Sequence, residues 1–89
     1  MKLYLITYDL KDTPLSNYKN LHDKIKEVGS SWWHYLESTW IIKSTSSSAN
    51  DISAMLVPLL KKGDRLLVVE ITSNSQGWLP KDAWDWLEL

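Results

Sequence analysis

The order in which two kinds of hydrophobic pattern follow one another most constrains the fold of this chain. Runs of apolar, aromatic and β-branched residues predict strands, and apolar residues spaced by three and four predict amphipathic helices. Over the first 71 residues these patterns predict strand, helix, strand, strand, helix and strand. The predicted strands cover residues 2–8, 31–36, 39–43 and 65–71, and the predicted helices cover residues 16–28 and 50–62.

This order predicts an α+β fold, a ferredoxin-like βαββαβ sandwich. Right-handed crossovers place the first and third strands in the centre of a four-stranded antiparallel sheet, with both helices on one face. The 89 residues then form a single domain, with a core at residues 1–71 and a C-terminal appendage at residues 72–89. Pro80 is a suitable first residue for a short helix in this appendage.

The opposite face of the predicted sheet is expected to be bare. An apolar sheet face in water is unfavourable, and a symmetric homodimer would cover it. The tryptophans of the appendage could cover the same face, either in their own subunit or across the interface. These tryptophans are Trp78, Trp84 and Trp86.

Glycine, proline and serine residues mark the predicted ends of elements. Gly29 is expected as the C′ residue of the first helix, and Pro58 predicts a kink in the second helix or its shortening. Gly63 is expected to end that helix. The run Ser44–Ser48 is expected to supply caps between a strand and a helix. Glu37 and Ser38 predict a hairpin turn or a bulge.

Composition and charge restrict the possible functions. The net charge of −1 provides no overall positive field, so binding of nucleic acid would require a local patch. Lys61, Lys62 and Arg65 form the best candidate patch, although cations near a helix C-terminus are also stabilising without a ligand. The chain contains no cysteine, which excludes disulfides, thiolate metal sites and a thiol nucleophile.

No segment approaches the roughly 20 apolar residues that a membrane span needs. The N-terminal apolar run is also too short for a signal peptide. We therefore expect a cytoplasmic protein without a membrane partner.

Asp9 is the strongest candidate for a functional residue. It ends the apolar first strand, where an α/β sheet can present a charge to a ligand without burying it unpaired. Alternatively, its side chain caps a turn through the amides of Lys11 or Asp12. His34 could act as a general base or a phosphate contact, or it could be an ordinary strand residue hydrogen-bonded to a neighbour. His22 is expected to be solvated.

Aromatic residues in the second and third strands have two interpretations. They could stack unpaired bases, as aromatic residues on open sheets do. Packing in the core or in a dimer interface is the favoured interpretation, because no Lys or Arg lies within the second strand. The residues concerned are Trp32, Trp33, Tyr35 and Trp40.

Several short motifs carry a resemblance to a known family. They are Tyr8-Asp9, Gly29, Ser38-Thr39-Trp40 and Asp64-Arg65. With these motifs the chain resembles the family of small CRISPR-associated endoribonucleases and integration scaffolds. The segments Trp32–Trp40 and Asp64–Val69 also resemble small bacterial proteins described as SinR-like, which share that fold.

The resemblance implies a ferredoxin-like homodimer in which Asp9 of each subunit faces a shared cleft, with Tyr8 beside it. In the catalytic interpretation, the paired Asp9 carboxylates hold one Mg²⁺, a hard cation that prefers oxygen ligands. The protein would then be a metal-dependent phosphodiesterase or endonuclease. In the favoured interpretation it is a dimeric interaction module able to contact nucleic acid.

Overall fold

A computed structural model describes residues 1–11 and 15–88, with side chains outside the description at residues 15–17. Within these residues the chain forms four strands and three helices. The strands are β1 (Lys2–Asp9), β2 (Ser31–Leu36), β3 (Thr39–Ser44) and β4 (Arg65–Ile71). The helices are α1 (Leu15–Val28), α2 (Ala49–Leu56) and α3 (Lys81–Glu88). The predicted order of elements is confirmed.

The four strands form one antiparallel sheet in the order β2-β3-β1-β4. β1 and β3 are therefore the central strands, as predicted, and β2 and β4 are the edges. The α+β class and the four-stranded antiparallel sheet are confirmed. β1 pairs with both β3 and β4, so its side chains lie at the centre of each sheet face.

Helices α1 and α2 cover one face of the sheet. Because side chains alternate between faces along a strand, the even-numbered residues of β1 all point toward these helices. Each large apolar side chain that is fully buried stabilises the fold by roughly 1.5–3 kcal/mol. The buried residues of this helix-side core are Tyr4, Ile6, Tyr8, Leu21, Ile25, Trp40, Ile42, Ile52 and Leu56.

Helix α3 packs on the opposite face, which is therefore not bare as expected. Trp33, Ile41 and Ala83 are buried there, in a second core between the sheet and the appendage. The cover is incomplete along the edge strand, since Leu67 is 57% exposed and Val69 is 37% exposed. The appendage thus covers most of this face from within the same subunit, one of the covers that the sequence predicted; Trp86 packs there, whereas Trp78 is completely exposed.

Three side chains of the sheet hold α3 in place through hydrogen bonds. The indole Nε1 of Trp33 donates to the carbonyl of Ala83 at 3.3 Å, and Tyr35 donates to Asp82 at 2.9 Å. Lys43 is only 5% exposed. Its Nζ donates to the carbonyl of Trp86 at 2.7 Å and lies 4.2 Å from the centre of that ring. The negative end of the α3 dipole stabilises a cation at this place.

Pro58 shortens the second helix, one of the two predicted outcomes. α2 ends at Leu56, and a 3₁₀ turn at Val57–Leu59 follows. The predicted helix range of 50–62 was therefore too long. Gly63 lies instead in a turn closed by a hydrogen bond from the Asp64 N–H to the Lys61 carbonyl. Its φ of +94° is a conformation that other residues adopt only with strain.

Gly29 follows the last residue of α1 as predicted, but its backbone does not have a positive φ. The position requires glycine for space. A Cβ there would lie 2.7 Å from Cβ of Ile42 and 3.0 Å from the carbonyl oxygen of Ser31. Glycine thus allows the end of α1 to approach β3 closely.

The predicted caps and hairpin are present. Ser48 and Asp51 form a capping box at the start of α2, each side chain accepting the other residue's backbone N–H. Ser44 accepts the N–H of Ser47 through its hydroxyl. Glu37 and Ser38 join β2 to β3 as a two-residue turn, and β2 has a register shift between Trp33 and Leu36. Both the hairpin and the irregularity therefore occur.

Candidate functional site

Antiparallel pairing brings several predicted site residues to one end of the sheet, which we call the site end. Here β1 and β2 finish while β3 and β4 begin. Asp9 is the last residue of β1 and pairs with Arg65, the first residue of β4. The Glu37–Ser38 turn lies at the same end, because the Tyr8 N–H donates to the Ser38 carbonyl at 3.2 Å.

The carboxylate of Asp9 is exposed and makes no hydrogen bond or ion pair within the described part of the chain. Its cross-strand neighbour Arg65 instead directs Nη1 to the carbonyl of Asp64, at 3.1 Å. The expected capping of the Lys11 amide by Asp9 is wrong, since that amide donates to Asp64. The other expected partner, Asp12, lies outside the described residues.

Asp64 joins the segment after β1 to the turn before β4. Its Oδ1 accepts the N–H of Lys11 at 2.9 Å, and its Oδ2 accepts the N–H of Lys61 at 2.8 Å. These two backbone donors, that of Lys61 first, hold the pKa of Asp64 below its usual value. The contact of this aspartate with Lys11 was not predicted from the sequence, because Lys11 lies 53 residues away along the chain.

This arrangement assembles four cationic residues beside Asp9, which we name the basic rim: Lys11, Lys61, Lys62 and Arg65. All four are exposed. Asp64 fixes the backbone at Lys11 and at Lys61, so these two lysines lie next to each other although they are distant in sequence. The sequence predicted three of the four, and the pairing of β1 with β4 adds Lys11.

A shallow depression of about 240 Å³ lies between the ends of β1 and β4. Asp9 and Arg65 contribute opposite charges to its lining. Leu66 and Leu67 line it as well. This depression can accept a small polar group, but it is too small and too open to enclose a substrate of drug size.

Tyr8 also contributes to the lining of this depression, but its side chain extends to the helix side of the sheet, because successive residues of a strand face opposite sides. Its hydroxyl lies 2.7 Å from Nε2 of His22 and accepts the indole N–H of Trp40 at 3.2 Å. An indole nitrogen can only donate, so the proton of Tyr8 is available to His22. Burial raises the pKa of Tyr8. Its hydroxyl therefore has two partners inside the domain before any ligand binds.

His34 also lies on the helix side of the sheet. Its ring stacks on Trp40 with 3.7 Å between ring centres and 13° between planes. Its Nε2 lies 3.0 Å from the carbonyl oxygen of Glu37. The hydrogen bond to a neighbour agrees with the ordinary interpretation of His34 as a strand residue. A role in catalysis or phosphate binding stays a prediction.

His22 is half-buried rather than solvated as expected. Its ring centre is 5.4 Å from that of His34 and 5.1 Å from that of Trp40. Burial, then the neighbouring His34 and Lys26, lower the pKa of His22. The sequence did contain a signal for this position: His22 follows Tyr18 by four residues and precedes Ile25 by three, which places it on the apolar stripe of α1.

The side chains of the predicted site residues therefore fall into two groups. Asp9 and the basic rim lie at the site end, whereas Tyr8 and His34 belong to an aromatic cluster beneath α1. Their functional roles stay predictions. Within the described residues no three His, Asp or Glu side chains form a group that could hold a metal ion. Asp9 can offer Mg²⁺ one carboxylate, and further oxygen ligands would come from water, a phosphate or a second subunit.

Among the residues described, no helix combines the length and the apolar character needed to cross a membrane. No protein-family model matches this chain, and no curated protein matches it significantly.

Proposed function

We propose that this chain is a ferredoxin-like interaction module that acts as a homodimer and contacts nucleic acid through the basic rim. The order βαββαβ and the sheet order β2-β3-β1-β4 support the ferredoxin-like assignment. The observation that carries the functional proposal is the pair of hydrogen bonds by which Asp64 holds the backbone of Lys11 next to that of Lys61, on either side of the segment that contains Lys62 and Arg65.

The basic rim is a local positive patch, although the net charge of the chain provides no overall positive field. Its four cations stand beside the two carboxylates Asp9 and Asp64, and the carboxylate of Asp64 already accepts two backbone N–H groups. Exposed Lys and Arg side chains bind phosphates and release the counterions of the nucleic acid. Such contacts position a strand without reading its sequence.

Fluorescence anisotropy with a labelled single strand of about 20 nucleotides tests this contact, once as RNA and once as DNA. If all four cations contact phosphates of a single strand, the logarithm of the binding constant falls with the logarithm of the salt concentration at a slope of about −3. The double variant Lys62→Glu/Arg65→Glu should lose most of the affinity and flatten the slope.

The double variant Lys19→Glu/Lys24→Glu is the matched control. It makes the same change in net charge on α1, away from the rim. Equal loss of affinity in both variants would mean that total charge, rather than the rim, governs binding. Absence of binding by the unmodified protein to either strand at low salt would reject the nucleic-acid contact.

A Mg²⁺-dependent phosphodiesterase using Asp9 from both subunits is the second candidate. The observation in its favour is the exposed Asp9 carboxylate, which no described residue engages. When bound, Mg²⁺ would polarise a scissile phosphate and an attacking water. The residues of this chain would hold the ion through Asp9 and the flanking phosphates through the basic rim.

Cleavage of the same labelled strands with Mg²⁺ and with EDTA tests this candidate. Activity should require Mg²⁺ and should disappear in Asp9→Asn, which removes the charge while keeping the shape. Asp23→Asn removes an exposed carboxylate from α1 and should leave cleavage unchanged. Cleavage that persists in Asp9→Asn would reject the role of Asp9, and the interaction module would remain.

A further inference from the structure

A cleft of about 1000 Å³ lies between the sheet and the C-terminal appendage, and we name it the tail cleft. Leu3, Leu5 and Ile71 line it from the sheet, and Leu79, Trp84 and Leu87 line it from the appendage. Its volume is at the upper end of the range for sites that enclose a ligand. The appendage thus spans a space that it does not fill, and polar residues at 72–76 complete the lining of this space beside the apolar ones.

Trp78 lies in the segment that borders this cleft but is completely exposed, at 100%. The residue before it, Gly77, lines the cleft, and the residue after it, Leu79, packs against the core beneath α3. Trp78 itself is absent from the cleft lining, so its indole is directed outward, away from its own cleft.

The apolar surface continues from the tail cleft along β4. Leu67 and Val69 pair with Thr7 and Leu5 of β1, so they lie on the same sheet face as the cleft. Both are exposed, as is Leu36 at the cleft itself. One surface of the chain therefore presents a protruding indole, an unfilled cleft and an apolar strip.

We propose that two copies of this chain associate about a twofold axis, with Trp78 of each copy inserted into the tail cleft of the other. This inference rests on the homodimer of the proposed function and specifies its interface. A twofold axis requires a patch that complements itself, and a patch with both an indole and a cleft meets that requirement. Trp is also the residue type most enriched among interface residues that dominate affinity.

The insertions supply roughly 300–500 Å² of the interface on each copy, and the exposed apolar strip must supply the rest. A stable complex buries about 800 Å² on each partner, roughly one-eighth of the 6048 Å² surface of this chain. Each inserted indole buries about 150–250 Å², and the cleft walls that receive the partner's indole bury a similar amount. The exposed strip at Leu67 and Val69 adds to this on both copies.

Sedimentation velocity over a range of protein concentrations measures the association. Trp78→Ala should raise the dimer dissociation constant by about 30-fold or more, because two anchor residues are lost from each dimer. Leu36→Arg should do the same by placing a charge at the cleft. Leu36 is 49% exposed, so this substitution should leave the fold intact, which circular dichroism checks.

Two matched controls lie away from this surface. Trp32→Ala removes an exposed tryptophan from the helix side of β2, and Met55→Arg places the same cation on α2. Neither should change the dissociation constant. A loss of dimer in either control equal to that in Trp78→Ala would overturn the assignment of this surface.

A mixing experiment separates insertion from general damage. The Trp78→Ala variant keeps its cleft and the Leu36→Arg variant keeps its indole, so an equal mixture can form one insertion per pair. The mixture should associate more tightly than either variant alone, and an equally weak mixture would reject the insertion.

If unmodified protein dimerises and Trp78→Ala dimerises equally, the insertion is wrong while the homodimer stands. If unmodified protein is monomeric up to about 1 mM, both are wrong.

Discussion

The hydroxyl of Tyr8 and Nε2 of His22 lie 2.7 Å apart and join the central strand β1 to helix α1. Trp40 completes the arrangement by donating its indole N–H to the same hydroxyl. The Tyr8 hydroxyl donates to Nε2 when the neutral His22 ring carries its proton on Nδ1, and accepts from Nε2 when the proton is there. This link between β1 and α1 thus depends on the tautomer and the protonation state of one histidine.

We expect the stability of the domain to fall with pH below about 6.5, the usual pKa of histidine. Burial, His34 and Lys26 lower the pKa of His22 in the folded state, while Asp23 opposes them. At lower pH the unfolded chain binds a proton that the folded chain binds less readily. The contribution of neutral His22 is therefore complete above the unfolded pKa and is lost as the pH falls below it.

Urea unfolding at neutral pH and at about pH 5 measures this effect. In a His22→Gln variant the pH-dependent loss should be smaller, because glutamine keeps a hydrogen-bonding group but does not titrate. An equal loss of stability in the variant and in the unmodified protein would show that other groups control the acid response.

Gly29→Ala should destabilise the domain by about 1–3 kcal/mol, the usual cost of overpacking. The new methyl group would collide with Ile42 Cβ at 2.7 Å, and Ile42 is fully buried. Gly77→Ala is the matched control, since its Cβ would meet Trp84 only at 3.9 Å, an ordinary contact distance. Denaturant midpoints of the two variants should differ clearly. A Gly29→Ala variant as stable as Gly77→Ala would contradict the close approach of α1 to β3.

Lys43→Met should loosen α3 while leaving the sheet folded. The substitution removes the hydrogen bond from a charged amine to the Trp86 carbonyl, and such bonds contribute about 1.5–3 kcal/mol. Amide hydrogen exchange in residues 81–88 should therefore become about tenfold to hundredfold faster. Lys26→Met is the control, because Lys26 also lies over an indole, that of Trp32, but on the helix side. Unchanged exchange in α3 would show that apolar packing alone holds the helix.

Asp64→Asn should release one of the two backbone amides that Asp64 holds. An asparagine side chain has one accepting oxygen, whereas the Asp64 carboxylate accepts from Lys11 and Lys61 with separate oxygens. Hydrogen exchange at one of these amides should accelerate. In the unmodified protein the contribution of Asp64 to stability should be complete above the ordinary aspartate pKa and be lost progressively as the pH falls from there through its lowered value.

Asp23→Asn is the control for this substitution, since the Asp23 carboxylate pairs with the exposed amine of Lys19. It should leave exchange at Lys11 and Lys61 unchanged. If the amides of Lys11 and Lys61 both remain protected from hydrogen exchange in Asp64→Asn, the side chain of Asp64 does not fix the backbone of the basic rim.

Local patterns predicted the elements of this fold well where a single period dominates. The ranges of β2 and β4 agree with the predicted 31–36 and 65–71. The end of α2 was predicted less well, because apolar spacing continues through Leu59 and Leu60 beyond the point at which Pro58 stops the helix. The sequence showed the proline, but it did not show at which residue the helix would end.

The candidate site was predicted only in part, because local patterns show residues that are close in sequence but not contacts between distant elements. The place of Asp9 at a strand end and the cations near Arg65 follow from residues that are close in sequence. The roles of Asp64 and His22 were missed, since their partners are provided by other elements. His22 bonds with Tyr8 from β1, and Asp64 bonds with an amide 53 residues away.

The sequence by itself determined the order of the strands and helices and most of their ranges, because those properties depend on spacing over a few residues. Only the tertiary structure decided which carboxylate accepts the Lys11 amide, that α3 covers the second face of the sheet, and that Trp78 alone among the appendage tryptophans is completely exposed. Each of these depends on which distant segments come into contact in the folded domain. Spacing along the chain does not show those contacts, because they arise from the packing of whole elements against one another.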